Sequence, residues 1–190
     1  MLSRCVLLFF VLCSNLCLSQ TLDSTALRKA RLINEIRQSD KIESYCLGFA
    51  CTVSALCLKV DSLFEISSFN EVITYFDDTS YVLKYYAFEK IASQKDSLAF
   101  EKLVSSIVDS TPLVAFFGCV MESQNFNELL IKRYAGFVKF RYFYGGNIGF
   151  NHKVYHYGKP SKLRWRKKRR KLIHLLNKHH FDSSQYKYWM

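Results

Sequence analysis

Eleven positions between Phe69 and Phe88 return with the same chemical character thirty-one residues further on, and that fixed offset constrains the fold more than any single residue. Phe69, Val72, Ile73, Phe76, Asp78, Val82, Leu83, Tyr85, Tyr86, Ala87 and Phe88 correspond to Phe100, Leu103, Val104, Ile107, Asp109, Leu113, Val114, Phe116, Phe117, Gly118 and Cys119. A period of this length is the mark of a stacked supersecondary unit, too small to bury its apolar face alone and therefore packed on its neighbour. Within the first copy, a helix is expected over Leu63 to Phe76, where Phe69, Val72, Ile73 and Phe76 fall at i, i+3, i+4 and i+7 on one face. Asp77 to Ser80 offer oxygen-bearing side chains for capping the next helix, Tyr81 to Ser93. The second copy repeats the plan: a helix over Leu98 to Val108, a cap at Asp109 to Thr111, and Pro112 in a first helical turn, where its missing N–H has no partner to lose. Only seven Gly and two Pro occur in 190 residues, so few turns are available, which favours helices over a many-stranded sheet.

The phrase Asp-x-x-x-hydrophobic-hydrophobic-x-aromatic-aromatic-small, at Asp78 to Ala87 and again at Asp109 to Gly118, resembles the start of the second helix in short HEAT-like, armadillo-type repeats. Where that family usually carries Arg, the copies have Lys84 and Ala115. The resemblance implies an all-α fold, a short right-handed stack of antiparallel helical hairpins with a basic C-terminal extension. It also implies that Ala87 and Gly118 sit where two helices approach closely. A degenerate third unit is expected over Asn125 to Tyr144, with Phe126, Leu129, Leu130 and Tyr134 near one face, and Ser44 to Leu58 as half of an N-terminal cap. The expected core is Phe69, Val72, Phe76, Val82, Tyr86, Leu103, Val104, Ile107, Leu113, Phe117 and Cys119.

The N-terminus has one positive charge, Arg4, then an apolar run to about Leu18, closing on Cys17-Leu18-Ser19-Gln20. This is the pattern of a signal peptide cleaved after Ser19, with an N-terminal membrane anchor as the alternative. The expected divisions are a leader over 1–19, a polar helical segment over 20–43, the repeat domain over 44–144 and a basic aromatic extension over 145–190. The uncharged run Ser44 to Leu58 reads as a buried helix or, alternatively, a membrane segment. Cys46, Cys51, Cys57 and Cys119 match no Cys-x-x-Cys motif and lie in apolar runs. They read as buried free thiols, although an oxidising compartment permits a disulfide.

Charge divides the chain sharply. Residues 20–130 hold ten Lys/Arg and fifteen Asp/Glu, whereas residues 131–190 hold sixteen Lys/Arg and the single acid Asp182. Nine of the thirteen residues from Lys159 to Lys171 are basic. Lys162, Arg164, Arg166, Lys167, Lys168, Arg169, Arg170 and Lys171 are the candidate anion-binding set, because like charges at this density repel unless an anion is near. With an export signal, the fitting polyanions are lipid head groups and charged glycans rather than nucleic acid. Leu172, Ile173, Leu175 and Leu176 beside Trp165 make the segment amphipathic, which also suits a solvated helix docked on the stack. His152 and His156, four apart, are a weak metal pair with no nearby acid. No nucleophile elbow, phosphate loop or paired-carboxylate motif is present. The expectation is an exported, periplasmic or secreted, non-enzymatic scaffold without cofactor or metal, binding a protein partner through its stack or an anionic surface through its tail. A small metal-dependent enzyme is the outlying alternative.

Overall fold

The computed structural model describes residues 24–144, 146–150, 153–157 and 159–186, with side chains described over 24–142 and 159–186. Helix α1 covers residues 24–37 and buries Leu32 and Ile36. Strand β1 (Lys41–Leu47) turns through four residues into the short β2 (Thr52–Val53), with positive φ at Gly48 and Cys51 and a Cys46–Cys51 disulfide across the loop. Four helices follow: α2 (Ala55–Glu65), α3 (Phe69–Tyr75), α4 (Tyr81–Gln94) and α5 (Asp96–Ser105). Strands β3 (Pro112–Gly118) and β4 (Val120–Asn125) then lead into α6 (Phe126–Lys139), which continues as a π-helical turn over Phe140–Tyr144. A separate hairpin of β5 (Gly146–Phe150) and β6 (Lys153–Tyr157) precedes α7 (Lys162–Lys178) and a 3₁₀ turn over Ser183–Tyr186.

The main sheet has the order β2-β1-β3-β4, with β1 and β3 parallel and the other pairs antiparallel. A parallel pair needs a long crossover, and α2 to α5 supply it. The architecture is therefore mixed α/β, and the expected all-α HEAT-like stack is not formed. The first copy of the repeat is helical, as α3 and α4. The second begins as α5, but its latter half, Leu113 to Gly118, is strand β3.

The two copies part at their caps. Asp78 Oδ1 accepts from the Ser80 N–H at 2.9 Å and Asp109 Oδ1 accepts from the Thr111 N–H at 3.2 Å, so the same local turn forms twice. Ser80 then accepts from the Leu83 N–H and opens α4. Thr111 instead donates its hydroxyl to Asp109 at 2.8 Å, with the Tyr81 hydroxyl in contact at 3.0 Å. Its carbonyl accepts from the Phe126 N–H at 2.9 Å. That carbonyl contact ties the start of β3 to the end of β4, and Pro112 takes the first strand position, where its lack of an N–H is harmless. Val114 and Ala115 then pair with Lys41 and Ile42 on one side and with Ser123 and Glu122 on the other.

Several expected placements change with the fold. The uncharged run 44–58 is not one buried helix: it contains most of β1, the disulfide loop, β2 and the start of α2. The boundary expected at residue 43/44 falls inside β1. Gly118 meets no neighbour where a side chain would stand, so it is not a close helix contact. Its φ of +61° serves the two-residue turn Gly118-Cys119, since Phe117 pairs with Val120, and a positive φ at the first central position suits a type II′ hairpin. Cys119 is exposed and Val104 is 41 % exposed, while Phe69, Leu113 and Phe117 are only partly buried. Val72, Phe76, Val82, Tyr86, Leu103 and Ile107 are buried as expected, with Ala87 fully so. Helix α6 places Phe126, Leu129, Leu130 and Tyr134 in the core.

Candidate anion-binding helix

Helix α7 is built by an opening cap and an apolar stripe. Ser161 accepts from the Arg164 N–H at 3.4 Å, and its own N–H donates to the Tyr142 carbonyl at 2.7 Å, fixing the helix start to the π-helical turn. Leu172, Leu175 and Leu176 are buried at i, i+3 and i+4 and hold the helix against α6. The far end closes in a Schellman arrangement. His180 takes φ +60°, its N–H donates to the Asn177 carbonyl at 3.2 Å, and the Phe181 N–H reaches the Leu176 carbonyl at 2.9 Å.

This docking sorts the eight candidate cations. Lys168 Nζ lies 2.8 Å from Asp96 Oδ2, which also accepts from the Tyr142 hydroxyl at 2.9 Å. Burial alone would push the Asp96 carboxyl up, but Lys168 and Tyr142 outweigh it and hold the group below its ordinary range. The Arg169 guanidinium stands 5.8 Å from the centre of the half-buried Trp165 ring, a cation–π distance. Lys162, Arg164, Arg166, Lys167, Arg170 and Lys171 are exposed. Among the described residues, Lys168 alone of the eight has a carboxylate within ion-pair reach.

The outward cations raise the energy of their own helix. Arg166 and Arg170, and Lys167 and Lys171, are like charges at i, i+4, each pair unfavourable by a few tenths of a kcal/mol. The first turn has no acid and carries Lys162 and Arg164 close to the positive end of the helix dipole. The four outer residues Arg166, Lys167, Arg170 and Lys171 fall within two turns, a span of about 8 Å at 1.5 Å per residue. Their charges therefore act together over one Debye length at physiological ionic strength, roughly 8 Å.

Buried polar groups that the sequence did not single out surround α4. Arg133 of α6 pairs with Glu89 of α4, and its Nε donates to the Tyr85 hydroxyl at 3.0 Å. Burial pushes the Glu89 carboxyl up and the Arg133 charge opposes this. Beside them, Tyr86 donates its hydroxyl to the Glu43 carbonyl at 2.8 Å and accepts from the Glu43 N–H at 2.9 Å. Ser54 donates to Glu43 Oε2 at 2.6 Å while capping α2. Burial raises the Cys57 thiol above its ordinary value, which makes it an inert thiol rather than a nucleophile. The available signal was a carboxylate inside an apolar helical run, Glu89 between Phe88 and Ile91.

Of the metal pair, His152 lies outside the described residues, and His156 belongs to β6 opposite Asn147. Among the described residues, no group of three His, Cys, Asp or Glu side chains could hold a metal ion. No helix among them is long and apolar enough to cross a membrane. Comparison of the chain with protein-family models, with curated proteins and with solved structures gave no match.

Proposed function

We propose that the chain is a non-enzymatic binder of anionic surfaces, making contact through the outer face of α7, and that residues 1–19 are an export signal that delivers it outside the cytoplasm. Among the described residues, seven of the eight cations on this docked helix have no carboxylate within ion-pair reach, and this carries the reading. A cation near an anionic membrane surface gains about 1 kcal/mol. That exceeds the few tenths by which each like-charge pair on the helix is unfavourable, so an external polyanion more than offsets the internal repulsion. The protein-scaffold reading rests on a helical stack over residues 44–144, and the strands β1 to β4 interrupt that span.

Co-sedimentation with vesicles of phosphatidylglycerol and phosphatidylcholine tests the proposal, with heparin–agarose retention as the glycan arm. The chain should bind one or both, with affinity falling steeply as salt rises. Replacing Arg166, Lys167, Arg170 and Lys171 with Gln should weaken vesicle binding on the order of a thousand-fold, at about 1 kcal/mol per charge. Binding that persists in high salt or survives the four substitutions would overturn it, as would absence of binding in both arms.

A further inference from the structure

Three cysteines meet at one end of the main sheet. The disulfide Cys46–Cys51 closes the loop between β1 and β2, and Cys119 is the second residue of the turn between β3 and β4. Those two loops are neighbours. Leu47 pairs with Gly118 in the parallel ladder, and the Gly48 N–H donates to the Gly118 carbonyl at 2.8 Å. On its other side Gly48 accepts from the Cys51 N–H at 3.2 Å, as expected from the Leu47 and Thr52 pairing. Carried one residue beyond the ladders, the register sets Cys51, Gly48 and Cys119 in a row across the sheet. The residue between the two cysteines has no side chain to screen one sulfur from the other.

Exposure and separation suit a reaction. Cys51 and Cys119 are exposed, whereas Cys57 is buried on α2 and takes no part. Two strand spacings put the Cys51 and Cys119 Cα atoms roughly 10 Å apart, against the 4.4–6.8 Å or so that a disulfide spans. A shift of a few ångströms in the loop closes that gap. Gly48, Phe49 and Ala50 are all exposed, with Phe49 fully so, so little side-chain packing opposes the shift, whose cost is the Gly48 hydrogen bonds to Gly118 and Cys51.

We propose that Cys119 and the Cys46–Cys51 disulfide form a thiol–disulfide exchange site, in which the Cys119 thiolate attacks the Cys51 sulfur, the Cys51–Cys119 bond forms, and Cys46 leaves as a thiolate. One S–S bond breaks and one forms, the proton lost by Cys119 is balanced by the one gained at Cys46, and no external oxidant or reductant is consumed. The exchange moves the crosslink from the β1–β2 loop to a bridge between the β1–β2 and β3–β4 loops. It leaves a free thiol on the central strand β1. This site is independent of α7 and of the anionic-surface reading.

The test uses the full chain with Cys5, Cys13 and Cys17 replaced by Ser, so that four cysteines remain. Samples held natively at pH 8 are acid-quenched, alkylated at low pH with N-ethylmaleimide, digested and mapped by mass spectrometry. The expected result is a population with Cys51–Cys119 linked and Cys46 alkylated, growing to a plateau and absent from a Cys119→Ser variant, while Cys57 stays alkylated only after unfolding. The Cys119→Ser change keeps Gly118 and hence the turn, so it also reports the undisturbed Cys46–Cys51 linkage. Finding only Cys46–Cys51 with Cys119 alkylated at every time point would overturn the proposal. So would crosslinks to Cys57 at the level of those between Cys51 and Cys119, which would show scrambling through unfolding.

Discussion

Helices α4 and α7 both pack against α6, and they handle charge in opposite ways. Ten of the fourteen residues of α4 are buried, and its carboxylate Glu89 is met inside the chain by Arg133 of α6, which Tyr85 also contacts. Three of the seventeen residues of α7 are buried, and its outer face collects cations that repel one another. A buried charge without a partner is expensive, so the fold supplies one. An exposed charge needs none for stability. A cluster of them kept against local repulsion is the feature on which the proposed anionic contact rests.

The contrast can be broken most directly at its buried end. Arg133→Met leaves the Glu89 carboxylate buried without its partner and should lower stability by about 3–5 kcal/mol, read by urea unfolding. The double variant with Glu89→Met should recover most of that loss. Equal losses in the single and double variants would mean that Arg133 acts through packing and that the pair is not the neutralising device described.

An intermediate case lies between α1 and α3. Glu71 closes a capping box with Ser68 and accepts from Lys29 Nζ at 2.6 Å, and these contacts, Lys29 first, hold its carboxyl down at about 2 instead of 4.5. A depressed carboxylate stabilises the fold in full above its unfolded value, and that contribution is lost as pH falls from about 4.5 through about 2. A pH series of urea midpoints should show this acid-side decline, reduced in Glu71→Gln. Its size should be modest, because the pair is partly exposed and screened. An unchanged acid limb in the variant would remove this step from the comparison.

The smallest effect has the opposite sign. Arg166→Gln with Arg170→Gln removes an i, i+4 repulsion and should raise thermal stability by a few tenths of a kcal/mol. A clear loss would show that these cations hold the fold together, and the distinction between the two helices would collapse.

Most of the helices were legible because their signals are local; α2 (Ala55–Glu65) was not, since it straddles the expected helices over 44–58 and from Leu63 to Phe76. The i, i+3, i+4 spacing located the first helix of each copy, and the basic run with Leu172, Leu175 and Leu176 gave α7 and its buried face. Strands β1 and β3 were not legible for a physical reason. Both lie inside the sheet, and Leu113 to Phe117 is an uninterrupted apolar run whose matches to the first copy at the thirty-one-residue offset say nothing about backbone shape. Tyr85 and Phe116 occupy equivalent repeat positions, yet one is buried in a helix and the other is paired with Glu43 and Met121 in a sheet. What separated them was the contact from Thr111 to Phe126, across a span the pattern cannot see. The candidate anion-binding residues were readable as a set, but only the fold told Lys168 and Arg169 apart from the six exposed ones. The Arg133 and Glu89 pair lies forty-four positions apart in sequence, beyond any spacing rule.

The parallel pairing of β1 and β3 also sets the order in which this chain can become a protein. Ser44 and Gly118, bonded to each other, are 74 residues apart, so the centre of the sheet closes only after α2 to α5 have been made and gathered. Loop closure on that scale is unfavourable before any contact rewards it, and folding rates fall as contacts become more distant in sequence. During synthesis β1 emerges with no partner for its central edge, while α3 and α4 can already pack on each other. The centre of the sheet can be completed only once β3 has been made.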